Sequence, residues 1–150
     1  MTEIEFHPGD VMSVWQYNGV LEKAIGKIKR DGCYDIVNEL VDKFFKKMEV
    51  NLPWDMHIAY VPMSEEEERR KGFNQSKLIA ESIAKRLNRR VLPLLSKNGN
   101  VFLYNHDFVP SQVMVVDDVY LTGSTFKECR KILLEAGVKN IIGFTLARQA

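Results

Sequence analysis

The sequence predicts an α/β fold, a parallel sheet flanked by helices on both faces. Three observations carry this. Strand-like and helix-like runs alternate along the chain. The clearest strand runs, residues 113–116 (Val-Met-Val-Val) and 141–146, are apolar without alternation, as strands buried on both faces are. The helix-like runs repeat apolar residues near the 3.6 period, so each has one face to bury.

Taken in order, residues 11–17 alternate loosely and include Trp15 and Tyr17, which suits a short strand. Asn18-Gly19 opens a helix with Val20, Leu21, Ala24, Ile25 and Ile28 on one face, stopped at Asp31-Gly32. A second helix aligns Val37, Leu40, Val41, Phe44, Phe45 and Met48, and Pro53 closes that region. Residues 57–61 read as a buried strand ending at Pro62, and residues 65–71 as a charged loop. Ile79, Ile83 and Leu87 mark an amphipathic helix over 76–87. Residues 91–95, interrupted by Pro93, and 101–104 are short strands around a turn at 97–100. A helix over 125–136 turns Phe126, Cys129, Ile132, Leu133 and Ala136 inward, with Gly137 just past its end.

The chain has 150 residues, 45% of them hydrophobic, and a formal net charge of +1. That composition fits one domain with a sizeable core and excludes a disordered or collagen-like chain. The charge balance argues against nucleic acid as a direct ligand, since coating it takes a clear basic excess. Cys33 and Cys129 lack the paired spacing of a zinc site and are expected to be reduced. The first residues show no secretory signal, and no apolar run approaches the about 18 residues of a membrane span, so a cytoplasmic protein without a membrane partner is expected.

Chemistry concentrates after the apolar run 113–116. That run delivers two adjacent carboxylates, Asp117 and Asp118, and then Thr122, Gly123, Ser124 and Thr125 open a helix. Such a loop suits a phosphate: Gly123 admits close backbone approach, the hydroxyls donate, and the helix N-terminus offers free N–H groups. Carboxylates repel that phosphate, so they are better placed on nearby hydroxyls. Phosphate on one side and vicinal hydroxyls on the other describe a ribose 5-phosphate. Neither G-x-x-x-x-G-K-[ST] nor G-x-G-x-x-G occurs, which argues against a P-loop ATPase and a dinucleotide-binding domain.

The segment from Val113 to Thr125 resembles the ribose-phosphate motif of type I phosphoribosyltransferases. Val61-Pro62-Met63-Ser64 followed by Arg69-Arg70-Lys71-Gly72-Phe73-Asn74-Gln75 is similar to the ComF-like (competence protein F) branch of that family, as are Lys29 ahead of Gly32 and the closing Thr145-Leu146-Ala147-Arg148. The resemblance implies the type I phosphoribosyltransferase fold in one domain, 1–150, with a small N-terminal hood over about 1–50 and a core over about 55–150. It implies that Asp117 and Asp118 bind the ribose hydroxyls of phosphoribosyl pyrophosphate (PRPP), and that Thr122, Gly123, Ser124 and Thr125 bind its 5-phosphate. Val61, Pro62, Met63 and Ser64 would hold pyrophosphate through backbone amides, in a loop where family members often carry a cis non-proline peptide. Arg69, Arg70 and Lys71 would neutralise that pyrophosphate or else simply balance Glu65 to Glu68. Mg²⁺ would arrive with PRPP, with no metal held directly by the protein and no zinc. The implied activity is transfer of the phosphoribosyl group to an unidentified acceptor with release of pyrophosphate. The alternative is a non-catalytic PRPP- or nucleotide-binding adaptor or sensor linked to DNA uptake. A homodimer is one expected assembly.

Three departures bear on that choice. The four-cysteine zinc segment common in ComF-like proteins has no counterpart here. Residues 96–112, where type I enzymes carry a closing lid, contain no arginine and read as a shortened hairpin. Leu121 stands where purine-salvage relatives place an aspartate base, and leucine takes no proton. Phe73, Asn74 and Gln75 read as a cap and packing unit for the next helix. His7, His57 and His106 show no metal-triad spacing.

Overall fold

The computed structural model describes residues 2–4, 10–16, 19–31 and 34–149. Along these the elements are β1 (Thr2–Ile4), β2 (Val11–Gln16), α1 (Gly19–Asp31), α2 (Tyr34–Lys47), β3 (Met48–Val50), β4 (Met56–Tyr60), α3 (Glu65–Lys71), α4 (Gln75–Leu87), β5 (Leu95–Asn98), β6 (Val101–Tyr104), β7 (Gln112–Tyr120), α5 (Ser124–Ala136) and β8 (Asn140–Arg148). His7, Cys33 and Gly32 lie outside the described residues, as does the side chain of Lys29.

The main sheet has the order β2-β8-β7-β4, and all three pairings are parallel. Both faces are covered, as the unbroken apolar runs require. On one face α1, α2 and α4 bring Ile25, Ile28, Val37, Val41, Phe44, Ile79 and Ile83 against Ile58, Met114, Val116 and Phe144. On the other, α5 and the antiparallel β5–β6 hairpin bring Phe126, Cys129, Leu133, Leu95 and Phe102 against Ala59, Val113 and Val115. Adjacent residues of β7 thus feed two cores: Met114 and Val116 one, Val113 and Val115 the other. Each such side chain contributes about 1.5–3 kcal/mol by leaving water.

Residues 1–50, expected as a hood, supply an edge strand of this sheet and two helices of its core, while β1 and β3 pair separately. The charged loop expected over 65–71 is instead the helix α3. Ser64 caps it by accepting from Glu67 N, four acidic residues occupy its first turn and three basic ones its last, and Gly72 ends it with φ 85°. That charge order follows the helix dipole and favours a helix over a loop, although the run stays solvated and buries none of its residues. The strand expected over 91–95 is reduced to one bridge, Ile58 to Val91, because Pro93 cannot continue a ladder; β5 begins at Leu95.

Arg89 fastens the approach to β4 by donating to the carbonyls of Leu52, Pro53 and Met56. Between α2 and α4, Ser82 Oγ donates to Asn38 Oδ1 over 2.6 Å. Gly143 of β8 lets α5 approach the sheet: a Cβ there would run into the Phe126 ring. Replacing Gly143 with alanine should therefore destabilise the fold by about 1–3 kcal/mol through overpacking. Urea unfolding would show a lowered midpoint, and an unchanged midpoint would mean that Phe126 does not rest on this strand.

Candidate functional site

The site forms where β4 and β7 part. Their pairing runs from Met56↔Gln112 to Tyr60↔Val116, and Val61 N still donates to Val116 O. Pro62 then carries the chain away, while β7 stays paired with β8 as far as Tyr120↔Arg148. The strand was expected to end at Val116; it continues four residues further, so the acidic pair sits inside a strand that has lost one neighbour. The helices after these strands lie on opposite faces, α4 on one and α5 on the other. This is the switch point at which open α/β sheets bind ligands.

Asp118 is 8% exposed and Asp117 half-buried. Ser76 Oγ donates to Asp117 Oδ1 (2.8 Å), as does the backbone N of Asp118 (2.8 Å). Asp118 Oδ1 accepts from Val119 N (2.8 Å), and Gln75 Nε2 reaches Asp118 Oδ2 at 3.5 Å. Desolvation, and then the neighbouring Asp118 charge, raises the Asp117 pKa to about 8. Gln75 Oε1 is buried with no hydrogen-bond partner. The acidic pair lines the cavity described below, and its carboxyl oxygens suit a donor such as a sugar hydroxyl or a hard cation.

Beyond Tyr120, Leu121, Thr122 and Gly123 lead into α5. Gly123 takes φ 83°, and a Cβ there would strike the Tyr120 hydroxyl. α3 is capped by Ser64 and α4 by Asn74, whereas α5 has no side-chain cap. Its first-turn N–H groups therefore point at the loop without helix partners. Thr122 Oγ1 accepts from Ser124 N (3.3 Å) and donates to Ser124 Oγ (3.0 Å), which pre-shapes the turn. Asp117, Asp118, Leu121, Thr122, Gly123, Ser124 and Thr125 line one cavity of about 280 Å³. Leu121 is 55% exposed at its rim. Arg148, from the end of β8, stacks 4.3 Å over the Tyr120 ring.

Val61, Pro62, Met63 and Ser64 form the turn after β4, with every described peptide bond trans. Asn74 ties this turn to α4: its Nδ2 donates to Val61 O (3.2 Å), and its Oδ1 accepts from Ser76 N (2.9 Å) and Lys77 N (3.2 Å). The capping role read for residues 73–75 holds for Asn74. The contacts of Gln75 and Ser76 with the acidic pair were missed. Arg69, Arg70 and Lys71 are exposed in the last turn of α3, and no described contact carries them to the acidic pair. Lys97, read from sequence only as part of a turn, pairs with Glu67 (3.7 Å), and its backbone bridges to Ser64.

Histidine chemistry belongs elsewhere. His57 Nδ1 bonds Asp55 O, at the opposite end of β4, and His106 accepts from Phe108 N. Among the described residues no group of three or more His, Cys, Asp or Glu could hold a metal. Also among them, no helix is long and apolar enough to cross a membrane. Cys129 is a free buried thiol, its pKa pushed up to about 12 by desolvation and then by Asp117.

No family model matches the chain. It is similar to competence protein ComFC of Bacillus subtilis (strain 168), with 28% identity over 152 residues, covering 91% of this chain and 63% of that protein. It is also similar to competence protein ComFC of Streptococcus pneumoniae (strain ATCC BAA-255 / R6), with 25% identity over 156 residues, covering 91% and 67%. The chain spans about two thirds of the length of these curated relatives.

The raised Asp117 pKa has a definite sign in stability. The folded state holds this proton more tightly than the unfolded chain, so stability is greatest below pH 3.8 and is lost as pH rises towards about 8. An asparagine in its place would still accept from Ser76 and from the backbone. The Asp117→Asn variant should therefore gain about 1–3 kcal/mol over wild type near pH 8, with the gap closing below pH 4. Thermal melts of both proteins across pH 4–9 test this. A gap independent of pH, or one that widens as pH falls, would sink it.

A thiol reagent should leave Cys129 of the folded protein unmodified over hours and label it only on denaturation. Fast labelling at neutral pH would place that thiol outside the core.

Proposed function

We propose that the chain binds PRPP with Mg²⁺ and transfers its phosphoribosyl group to an acceptor, releasing pyrophosphate. The observation that carries this reading is the side-chain-uncapped N-terminus of α5 opening at Gly123 into the cavity that also holds the acidic pair. Phosphate needs donors and hydroxyls need acceptors, and the two sets stand side by side.

In this reading the first-turn N–H groups of α5, with Thr122, Ser124 and Thr125, seat the 5-phosphate. Asp117 and Asp118 accept from the ribose hydroxyls, whose donors take the place of the proton that Asp117 holds below about pH 8. In the turn from Val61 to Ser64, the backbone N–H groups of Met63 and Ser64 face the pyrophosphate, since Pro62 has none and that of Val61 is spent on Val116 O. Mg²⁺ fits such a site as a companion of the substrate, because two carboxylates with no third ligand leave most of its coordination to substrate oxygens and water. When bound, the metal would neutralise charge on the diphosphate.

The C1–O bond to pyrophosphate breaks with its electron pair leaving on oxygen. The acceptor's lone pair forms the new bond at C1, and its proton passes to water or to the departing pyrophosphate. The protein's part is positioning and electrostatic stabilisation of the cationic sugar, since Leu121 offers no base.

A second reading belongs to a different class: an adaptor or sensor that binds PRPP or a nucleotide without turnover, with a role in competence and DNA uptake. Two observations favour it. Both relatives are named competence proteins. The β5–β6 hairpin, where a mobile lid would be expected, packs Leu95 and Phe102 into the core.

Calorimetric titration of PRPP with Mg²⁺ into wild type and an Asp117→Asn/Asp118→Asn variant tests the shared premise. Binding to wild type should weaken by about tenfold or more in the variant, as lost charge-assisted hydrogen bonds predict. Pyrophosphate release with some base or amine then separates transferase from adaptor. Wild type that takes up no PRPP would overturn the transferase, and wild type that takes up neither PRPP nor a nucleotide would overturn both.

A further inference from the structure

We propose that Lys97 and Glu67 form an ion-pair latch on the pyrophosphate side of the site, which a diphosphate opens by drawing Lys97 away from Glu67. The latch rests on the phosphoribosyl reading, because it assigns the diphosphate to the turn from Val61 to Ser64.

The hairpin is joined to that turn by the parallel bridge between Ser64 and Lys97. The lysine pairs with Phe102 across the hairpin, and its ammonium lies 5.5 Å from the centroid of that ring, a cation–π distance. The side chains of Lys97 and Glu67 are 23% and 38% exposed. Glu67 Oε1 already accepts from Ser64 Oγ at 3.1 Å, as part of the cap that starts α3. The ammonium stands 3.7 Å from that same oxygen, outside the range of a charge-assisted hydrogen bond. Glu67 therefore stays in place without the lysine, while the ammonium is held by a long ion pair and a ring face, both of which a multiply charged anion outcompetes.

A dianionic or more highly charged ligand at the turn competes with a single carboxylate for this cation and offers several oxygens to its three N–H donors. Arg69, Arg70 and Lys71 lie in the far turn of α3. Lys97 is thus the cation that the fold itself fastens to the turn.

The test exploits opposite signs. Calorimetry would follow Mg²⁺ with inorganic pyrophosphate, and separately with PRPP, in wild type, Lys97→Gln, Lys97→Arg and Glu67→Gln. Lys97→Gln should weaken pyrophosphate binding by about tenfold, and Lys97→Arg should restore most of it. Glu67→Gln keeps an oxygen for Ser64 and removes the competing charge, so it should tighten binding by about three- to tenfold. A merely structural bridge predicts that both single changes act in the same direction, and that result would overturn the latch. So would unchanged affinity in Lys97→Gln confirmed as folded by its melting curve. If PRPP binding depends on Asp117 and Asp118 while these variants change nothing, the latch falls and the site reading stands. If wild type binds neither probe, both fall.

Discussion

Asn74 is the side chain on which the arrangement of the site depends. It is 4% exposed, and both ends of its amide are used. One end holds the carbonyl of Val61, where β4 leaves the sheet, and the other caps α4 through Ser76 and Lys77. Fixing the first turn of α4 there brings Gln75 and Ser76 over the end of β7, onto Asp118 and Asp117. The turn after β4, the start of α4 and the acidic pair are therefore positioned by one buried amide. Without it the chain would have to find partners for a carbonyl and two N–H groups enclosed away from water, at about 1–3 kcal/mol each.

What the sequence made legible was local. An unbroken apolar run, two carboxylates and a glycine with hydroxyls before a helix are contiguous, so their order is also their spatial order. The pairing of Asp117 with Ser76 joins residues 41 apart, and that of Asp118 with Gln75 joins residues 43 apart, so no window along the chain contains either. Lys97 was hidden for the same reason. Its meaning comes from a bridge to Ser64, not from its neighbours in the turn. The helix over 65–71, expected as a loop, is a different case: Ser64 and Glu67 carry the capping-box spacing, but the run has no apolar face to mark a helical period. The place of residues 1–50 in the sheet could not be read either, because an edge strand such as β2 is defined by the β8 it pairs with.

The acidic pair and the proposed anion seat look contradictory until their directions are considered. Both carboxylates turn back toward their own strand, accepting from the N–H groups of Asp118 and Val119, while Gln75 and Ser76 approach from α4. The seat opens on the other side, at the N-terminus of α5. Its positive end comes from backbone dipoles, which need no mobile side chain and cannot be neutralised by pairing with Asp117. A lysine or arginine in the loop would have collapsed onto the carboxylates. Glycine and hydroxyls keep the two functions apart within one cavity.

That solution makes the seat only as well placed as α5 itself. The helix is held by Phe126, Cys129 and Leu133 in the core, and Phe126 reaches the sheet through the space left by Gly143. At its start, Gly123 passes so close to the Tyr120 hydroxyl that a side chain would not fit, and Tyr120 in turn carries Arg148. Two glycines far apart in sequence thus set the height and the entry of the same helix. The geometry of these backbone donors is inherited from core packing, and a change that shifts Phe126 moves them along with the helix.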